Sequence, residues 1–296
     1  MSDAIPTPPG PTAPGPLSRL GFGVTGPHAS PAVSRGATGR LISRAIDLGI
    51  TLFDTAPSYG RGEGERRLGT ALRGRRRDEL CLVTKAGIDI DRQRDFSAGA
   101  VEMSLRGSLE RLQTPYVDLL LLHGPSAPDM SDRLIQRLEA LRERGMIRQI
   151  GVCGRGPELD VALDLGVFDV LMAPVNSGLD TAALDRLARA HEAGHRVIGI
   201  EAISSSARSG LRPPTSRADL WYLARAAKQA LDGTTSERNR VPPEGALKWA
   251  LDQTGVDAVV CLTTRSANLA ANARLAGLEA RSGSPQLSGR DLPGAQ

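Results

Sequence analysis

Short runs of consecutive apolar residues alternate along the chain with longer stretches in which apolar residues recur every three or four positions. The runs are LGFGV (20–24), TLFDTA (51–56), LCLVTKA (80–86), VDLLLLH (117–123), IRQIGVC (147–153), DVLMAPV (169–175), RVIGIEA (196–202) and DAVVCLT (257–263). Each has the length and near-continuous hydrophobicity of a strand covered on both faces. Helical periodicity fills the gaps, as in SRGATGRLISRAIDLG, SAGAVEMSLRGSLERL and SDRLIQRLEALRERG. Gly49, Gly74, Gly145, Gly166 and Gly194 each follow a last apolar turn, where a left-handed cap closes a helix. Eight strand–helix units predict a parallel sheet closed into a single (β/α)8 TIM barrel.

A doubly wound sheet is the rival architecture, because Gly21, Gly23 and Gly26 spell G-x-G-x-x-G. That fingerprint must open a helix, yet Pro27 and His28 follow it and helical pattern resumes only near Ser34. Residues 41–46 read LISRAI and lack the acidic partner, so the match is read as accidental. Residues 1–16 hold six prolines and almost no apolar bulk, and 281–296 are similar; both are expected to be disordered tails around a 17–280 barrel. The stretch from Ser204 to about Arg240 exceeds an ordinary connection and carries its own helix, ADLWYLARAAKQAL.

Composition narrows the function classes. The chain is 40% hydrophobic and 24% charged with a net charge of +4, an ordinary globular balance. Its start has neither the basic flank nor the apolar run of a secretory signal, and nothing is long and apolar enough to span a bilayer, so a cytoplasmic location is expected. Cys81, Cys153 and Cys261 lie far apart inside apolar runs, which predicts buried reduced thiols and no metal site. Arg73, Arg75, Arg76 and Arg77 have no aromatic interleaving and read as a solvated helix end, so no nucleic-acid partner is expected. His28, His191 and His195 read as surface histidines.

Barrel sites form at the C-terminal ends of strands. Strand two ends in Asp54 with Tyr59 in the loop behind it, strand three ends near Lys85, and strand four ends in His123. Adjacent strands lie about 4.8 Å apart, so the four groups can converge on a pocket about 10 Å across. A lysine ammonium beside a tyrosine favours the phenolate and predicts a lowered phenol pKa. Asp54 would hold that ammonium, and His123 would hydrogen-bond a substrate oxygen or share a proton with Tyr59. The expected device is an acid–base pair for a carbonyl or alcohol.

FDTAPSYGRGEGERRLG (53–69), followed in order by LVTK, DLLLLH and GMIRQIGV, resembles the aldo-keto reductase family over about residues 17–280. The resemblance implies the same barrel and reversible hydride transfer between NADPH and an aldehyde, ketone or sugar, with Asp54, Tyr59, Lys85 and His123 as catalytic positions. The form of the signature is most similar to the branch that oxidises aldoses and related aldehydes. It also implies cofactor contacts at Cys153, Gly154, Met172 and Ile200, where the family usually carries Ser-Asn, glutamine and a stacking aromatic. At the adenosine end, Thr263, Thr264, Arg265 and Asn272 fall on the family's last turn and favour NADP over NAD, although its usual basic positions read Leu262 and Asn268.

Three functions remain open at this point: an oxidoreductase acting on a small carbonyl compound or its alcohol, a reductase-derived binding or regulatory barrel, and a redox-neutral lyase using Lys85 as a Schiff-base amine. Glu201, at the end of strand seven, is expected either to pair with a loop arginine such as Arg208 or to face the cofactor site.

Overall fold

The computed structural model describes residues 14–203, 216–231 and 241–279. Eight parallel strands close a barrel in chain order: β1 (Leu20–Gly23), β2 (Leu52–Asp54), β3 (Cys81–Ala86), β4 (Val117–His123), β5 (Ile147–Cys153), β6 (Val170–Pro174), β7 (Arg196–Ile200) and β8 (Ala258–Cys261). Closure comes from β1 against β8, with Phe22 opposite Cys261. The open doubly wound sheet is thereby excluded, and Gly21 and Gly23 belong to a barrel strand.

Around the barrel lie α1 (Arg35–Asp47), α2 (Glu63–Leu72), α3 (Ala98–Leu112), α4 (Asp132–Glu143), α5 (Glu158–Leu165), α6 (Thr181–Glu192), α7 (Arg217–Leu231), α8 (Pro243–Leu251) and α9 (Ser266–Leu275). Ser34, Ser97, Ser131 and Asp180 accept the backbone N–H three residues on, which explains why α1, α3, α4 and α6 begin where they do.

Because side chains alternate across a strand, each strand feeds two cores. Leu52, Cys81, Val83, Leu119, Leu121, Cys153, Val170, Met172, Ile198 and Ala258 pack inside the lumen. The intervening residues, such as Phe53, Leu82, Leu120, Leu122, Val152 and Leu171, pack outward beneath the helices. The lumen is therefore a filled core, and only the last inward residue of each strand reaches the mouth.

Residues 14–16, assigned to a tail from their proline content, lie instead against the barrel floor. Gly15 N–H donates to Asp118 at 2.8 Å, and Thr51 Oγ1 donates to the Pro16 carbonyl at 2.5 Å. Leu17 packs on the lumen cluster. The buried Asp118 carboxylate, which also accepts from Leu82 N–H and pairs with Arg77, supplies the anchor that proline content could not reveal. Arg77 further stacks 4.0 Å from the Tyr116 ring, so one member of the arginine run is part of the floor. Residues 1–13 and 280–296 lie outside the described residues, as do 204–215 and 232–240 on either side of α7.

His28 is wholly buried rather than superficial. Its ring joins Thr38 Oγ1 at 3.2 Å and the Thr263 carbonyl at 2.9 Å, tying the β1 loop to α1 and to the turn after β8. Such a long-range pairing has no local signature. All three cysteines are buried and unpaired.

Candidate active site

Counting inward positions by twos from the floor, β2 runs Leu52, Asp54; β3 runs Cys81, Val83, Lys85; and β4 runs Leu119, Leu121, His123. Three neighbouring strands thus finish their lumen rows with ionisable groups. Lys85 is only 1% exposed, and Asp54 is buried beside it. The Lys85 ammonium donates to the Asp54 carboxylate and, at 3.0 Å, to the Thr55 carbonyl.

Tyr59 comes from the loop between β2 and α2. Gly64 N–H, in the first turn of α2, donates to the Tyr59 carbonyl at 3.2 Å. Gly60 follows at φ 61°, and a Cβ there would lie 1.8 Å from the Ala29 carbonyl oxygen. No other residue fits that close approach, so glycine sets the path that turns Tyr59 inward. Its ring centre sits 5.1 Å from Lys85 Nζ and 5.9 Å from the His123 ring, at right angles to it. Asp54, Tyr59, Lys85 and His123 are therefore brought together.

The electrostatics differ from the sequence expectation at Tyr59. Burial is the largest influence and raises the phenol pKa; Lys85 opposes it, while Asp54 and Cys153 add to it. The phenol is held above its ordinary value, not lowered. Burial works against the Lys85 ammonium, but Asp54, Tyr59 and Cys153 outweigh it and hold Lys85 above the usual lysine range. Burial pushes the Asp54 carboxyl up, with Lys85 opposing. A lysine kept charged in this way is unsuited to Schiff-base attack, which requires the free amine. His123 is pushed down to about 3 by burial and by the charges of Lys85, Arg155 and Arg94, so the imidazole is neutral and offers one donor and one acceptor nitrogen. Its buried Nδ1 has no hydrogen-bond partner among the described residues.

The other half of the rim is built differently. Cys153 is the last inward residue of β5, 4% exposed; Met172, 0% exposed, lies one inward position below Pro174 in β6, and Ile200, opposite Pro174, ends β7 half-buried. Gly154 is buried, with its N–H donating to the Met172 carbonyl at 3.0 Å. The side chains of Cys153 and Met172, anticipated as cofactor contacts, are thus enclosed lumen packing that forms an apolar base beneath the mouth. Burial also pushes the Cys153 thiol up to about 11, so it is no thiolate.

Above this base stand two residues that sequence reading had passed over or left open. Arg155, just after β5, donates from Nε at 3.1 Å and from Nη2 to Oε1 of Glu201, just after β7. Arg208 lies outside the described residues; Arg155 is one ion-pair partner of Glu201. The signal for Arg155 was weak: an arginine in the turn CGRGPE, three residues before a glutamate.

At the β8 end, Thr263 is buried and Thr264 half-buried; Thr263 Oγ1 accepts from Arg265 N–H at 3.2 Å in the turn that starts α9. Arg265 is exposed and donates to Asp219 of α7 at 3.0 Å. Asn272 is half-buried on α9. The first turn of α9 contains no acidic residue of its own, so its N-terminal amides present positive charge, while Asp219 of α7 stands against Arg265 at the cap.

A mouth with a charged lysine–aspartate pair, a phenol and a neutral imidazole at the top of a closed barrel can now be compared with known proteins. The model of the Aldo/keto reductase family matches residues 19–281. The chain belongs to the aldo-keto reductase family. This aldo-keto reductase is 29% identical over 282 residues to D-threo-aldose 1-dehydrogenase of a Pseudomonas species, covering 82% of this chain and 84% of that protein. It is 30% identical over 258 residues to L-galactose dehydrogenase of Arabidopsis thaliana, covering 82% and 79% respectively. Among solved structures, the holo form of an aldo-keto reductase from Bacillus halodurans superposes with a TM-score of 0.71 at 27% identity, over 88% of this chain and 86% of that one. The chain is accordingly an oxidoreductase of a family whose general reaction is NAD(P)-dependent hydride transfer. No described helix of this aldo-keto reductase is long and apolar enough to cross a membrane.

Proposed function

We propose that this aldo-keto reductase is an NADP-preferring enzyme that exchanges hydride with small aldehydes or sugars in the cytoplasm, using Asp54, Tyr59, Lys85 and His123 as its catalytic set. The observation that carries this reading is the convergence of those four side chains over an apolar lumen. The mouth suits a nicotinamide nucleotide on its own features: an apolar base at Cys153, Met172 and Ile200, an imidazole nitrogen at His123 with no partner among the described residues, and the N-terminus of α9 with Arg265 at its cap. When bound, the nicotinamide supplies or accepts the hydride.

The remaining steps belong to the chain. The neutral His123 donates a hydrogen bond to the substrate oxygen and orients the carbonyl. Tyr59, protonated in the resting protein, delivers its proton to that oxygen as negative charge grows on it. Lys85 stays charged throughout and stabilises the phenolate left behind, while Asp54 and the Thr55 carbonyl aim its ammonium. Reversal of these steps serves oxidation of an alcohol or hemiacetal.

An NADP preference is supported by Arg265, Thr263 and Thr264 around the α9 N-terminus, which suit a 2′-phosphate. An aldose or related aldehyde as substrate accords with the activities named for the Pseudomonas and Arabidopsis relatives. Three unpaired buried thiols accord with a reducing compartment.

The test is fluorescence titration with NADPH and NADH, followed by turnover of an aldehyde and aldose panel by the wild type and Tyr59→Phe. Tighter binding of NADPH, with turnover falling at least about 100-fold in the variant while binding persists, is the expected result. Failure to bind either dinucleotide at millimolar concentration would remove the proposal. Enclosure of Cys153 and Met172 favours one alternative, a barrel that binds dinucleotide without chemistry, and inactivity across the whole panel would select it.

A further inference from the structure

The reacting groups come from separate pieces of chain: Asp54 ends β2, Tyr59 lies in the loop that follows, and Lys85 is the last inward residue of β3. Proton transfer at Tyr59 depends on how these pieces are held against one another, because a small misplacement of a reacting group costs rate steeply. The first turn of α2 stands behind them. Gly64 N–H donates to the Tyr59 carbonyl at 3.2 Å, and a Cβ at Gly64 would lie 2.8 Å from Thr55 Oγ1. The turn is thus pressed against Thr55, which follows Asp54 and whose carbonyl accepts from the Lys85 ammonium. One residue on, Glu65 reaches β3, where its Oε1 accepts from Thr84 Oγ1 at 2.7 Å.

Glu65 is a buried ionisable group for which the steps described above have no use. It is 0% exposed, and Thr84 is equally enclosed. Thr84 alternates with Lys85 along β3, so its side chain points outward beneath the helices while the ammonium points into the lumen. Neither Glu65 nor Thr84 opens on the mouth.

The second carboxylate oxygen is held from α3. Arg111 Nε donates to Oε2 at 2.6 Å. The arginine also lies against Gly62, the left-handed residue preceding α2, where a Cβ would sit 2.6 Å from Arg111 Cδ. Both oxygens are therefore used, in a first helical turn whose dipole favours negative charge. Burying a carboxylate carries a desolvation cost that an apolar residue in the same place would avoid. A side chain that only filled the space between α2 and β3 would need no charge. We infer that Glu65 is a positioning residue for the proton transfer. Through Thr84 it fixes β3, and with it Lys85, against the same helical turn that holds Tyr59 and Thr55, so ammonium and phenol keep their separation as the proton leaves. The 5.1 Å between Lys85 Nζ and the Tyr59 ring centre is the distance so set. The inference rests on the catalytic reading of Tyr59 and Lys85 above.

The experiment compares Thr84→Val, which keeps the shape and removes the hydroxyl, with Thr84→Ser, which keeps the hydroxyl. Functional sites are counted by NADPH titration of the full chain. For each site, kcat, KM and the solvent deuterium isotope effect on kcat are then measured with an aldehyde or aldose that the wild type turns over. Thr84→Val is expected to lower kcat about tenfold, with KM and NADPH affinity unchanged and a larger isotope effect, because a displaced ammonium slows the proton step. Thr84→Ser is expected to stay within about twofold of wild type. Glu65→Leu should lower kcat at least as far as Thr84→Val, and the double variant no further than Glu65→Leu alone, since both act through one bond. Should Glu65→Leu fail to fold, the two Thr84 variants decide alone. Wild-type kcat in Thr84→Val overturns the inference, as does a Thr84→Ser variant equally impaired. A loss shared by KM and NADPH affinity, or one without a larger isotope effect, overturns it too, because the link would then serve the fold only. In all these cases an inactive Tyr59→Phe leaves the proposed function standing. A Tyr59→Phe variant as active as wild type, or a wild type that turns over nothing, removes the catalytic reading and this inference with it.

Discussion

At Tyr59 two opposing effects act on one hydroxyl: removal from water, which favours the neutral phenol, and a nearby ammonium, which favours the phenolate. Proximity to Lys85 in the sequence pattern suggested the second would prevail. The loop that carries Tyr59 folds inward far enough that the first does, and depth of burial is a property no local motif encodes. The consequence is measurable. For reduction by free enzyme, kcat/KM should stay flat through neutral pH and decline only above the ordinary phenol value of 10.0. A steady decline between pH 7 and 9 would show that the ammonium dominates after all. The neutral imidazole of His123 adds no inflection near 6.5, since its pKa is pushed down to about 3.

Among the elements, the βα units were legible because each strand is a compact apolar run and several helices end on glycine. Gly49, Gly74, Gly145, Gly166 and Gly194 all adopt positive φ. β4 and β5 span the anticipated 117–123 and 147–153, β3 starts one residue late and ends at the anticipated Ala86, and the others stop one or two residues short where loops leave the ladder. α7 was anticipated as the helix ADLWYLARAAKQAL, but not its placement: it packs Trp221 against Gly26 and so sits beside the β1 loop, with Asp219 directed at Arg265. That contact joins residues 46 positions apart and leaves no periodic trace. It also divides the arginine between a carboxylate and any incoming phosphate. Asp219→Asn is expected to tighten NADPH a few-fold while leaving NADH unchanged, and Arg265→Ala to weaken NADPH by about tenfold. Parallel shifts for both nucleotides in a titration would place the 2′-phosphate elsewhere.

For the whole molecule, the division of every strand between a lumen core and an outer core follows from period two, which is why Asp54, Lys85 and His123 could be assigned together before any coordinates. Arg155 and Glu201 escaped the same logic because they stand just beyond the strands, where backbone turns rather than alternation decide direction. Global stability should report the buried imidazoles. The unfolded chain takes up protons on histidine below 6.5, whereas folded His123 resists until about 3, and His28 is also lowered, chiefly by burial. Stability is therefore greatest above 6.5 and is lost as pH falls, by at most about 1.4 kcal/mol per unit for each histidine. Glu63, lowered from 4.5 to about 2 mainly by Arg35, adds its own loss only below 4.5. Urea unfolding at pH 7 and 5 should show lower stability at pH 5, with the buried Asp54 carboxyl acting in the opposite sense, and a smaller loss in His123→Phe; an equal loss would assign the effect to other groups.

Leu17 and the hydrogen-bonded Gly15 and Pro16 lie across the opposite end of the tube from Tyr59. A tube stoppered below has one doorway. Whatever proton Tyr59 gives up must be replaced through the opening that substrate and product also use, so recharging of the phenol waits on departure of the product.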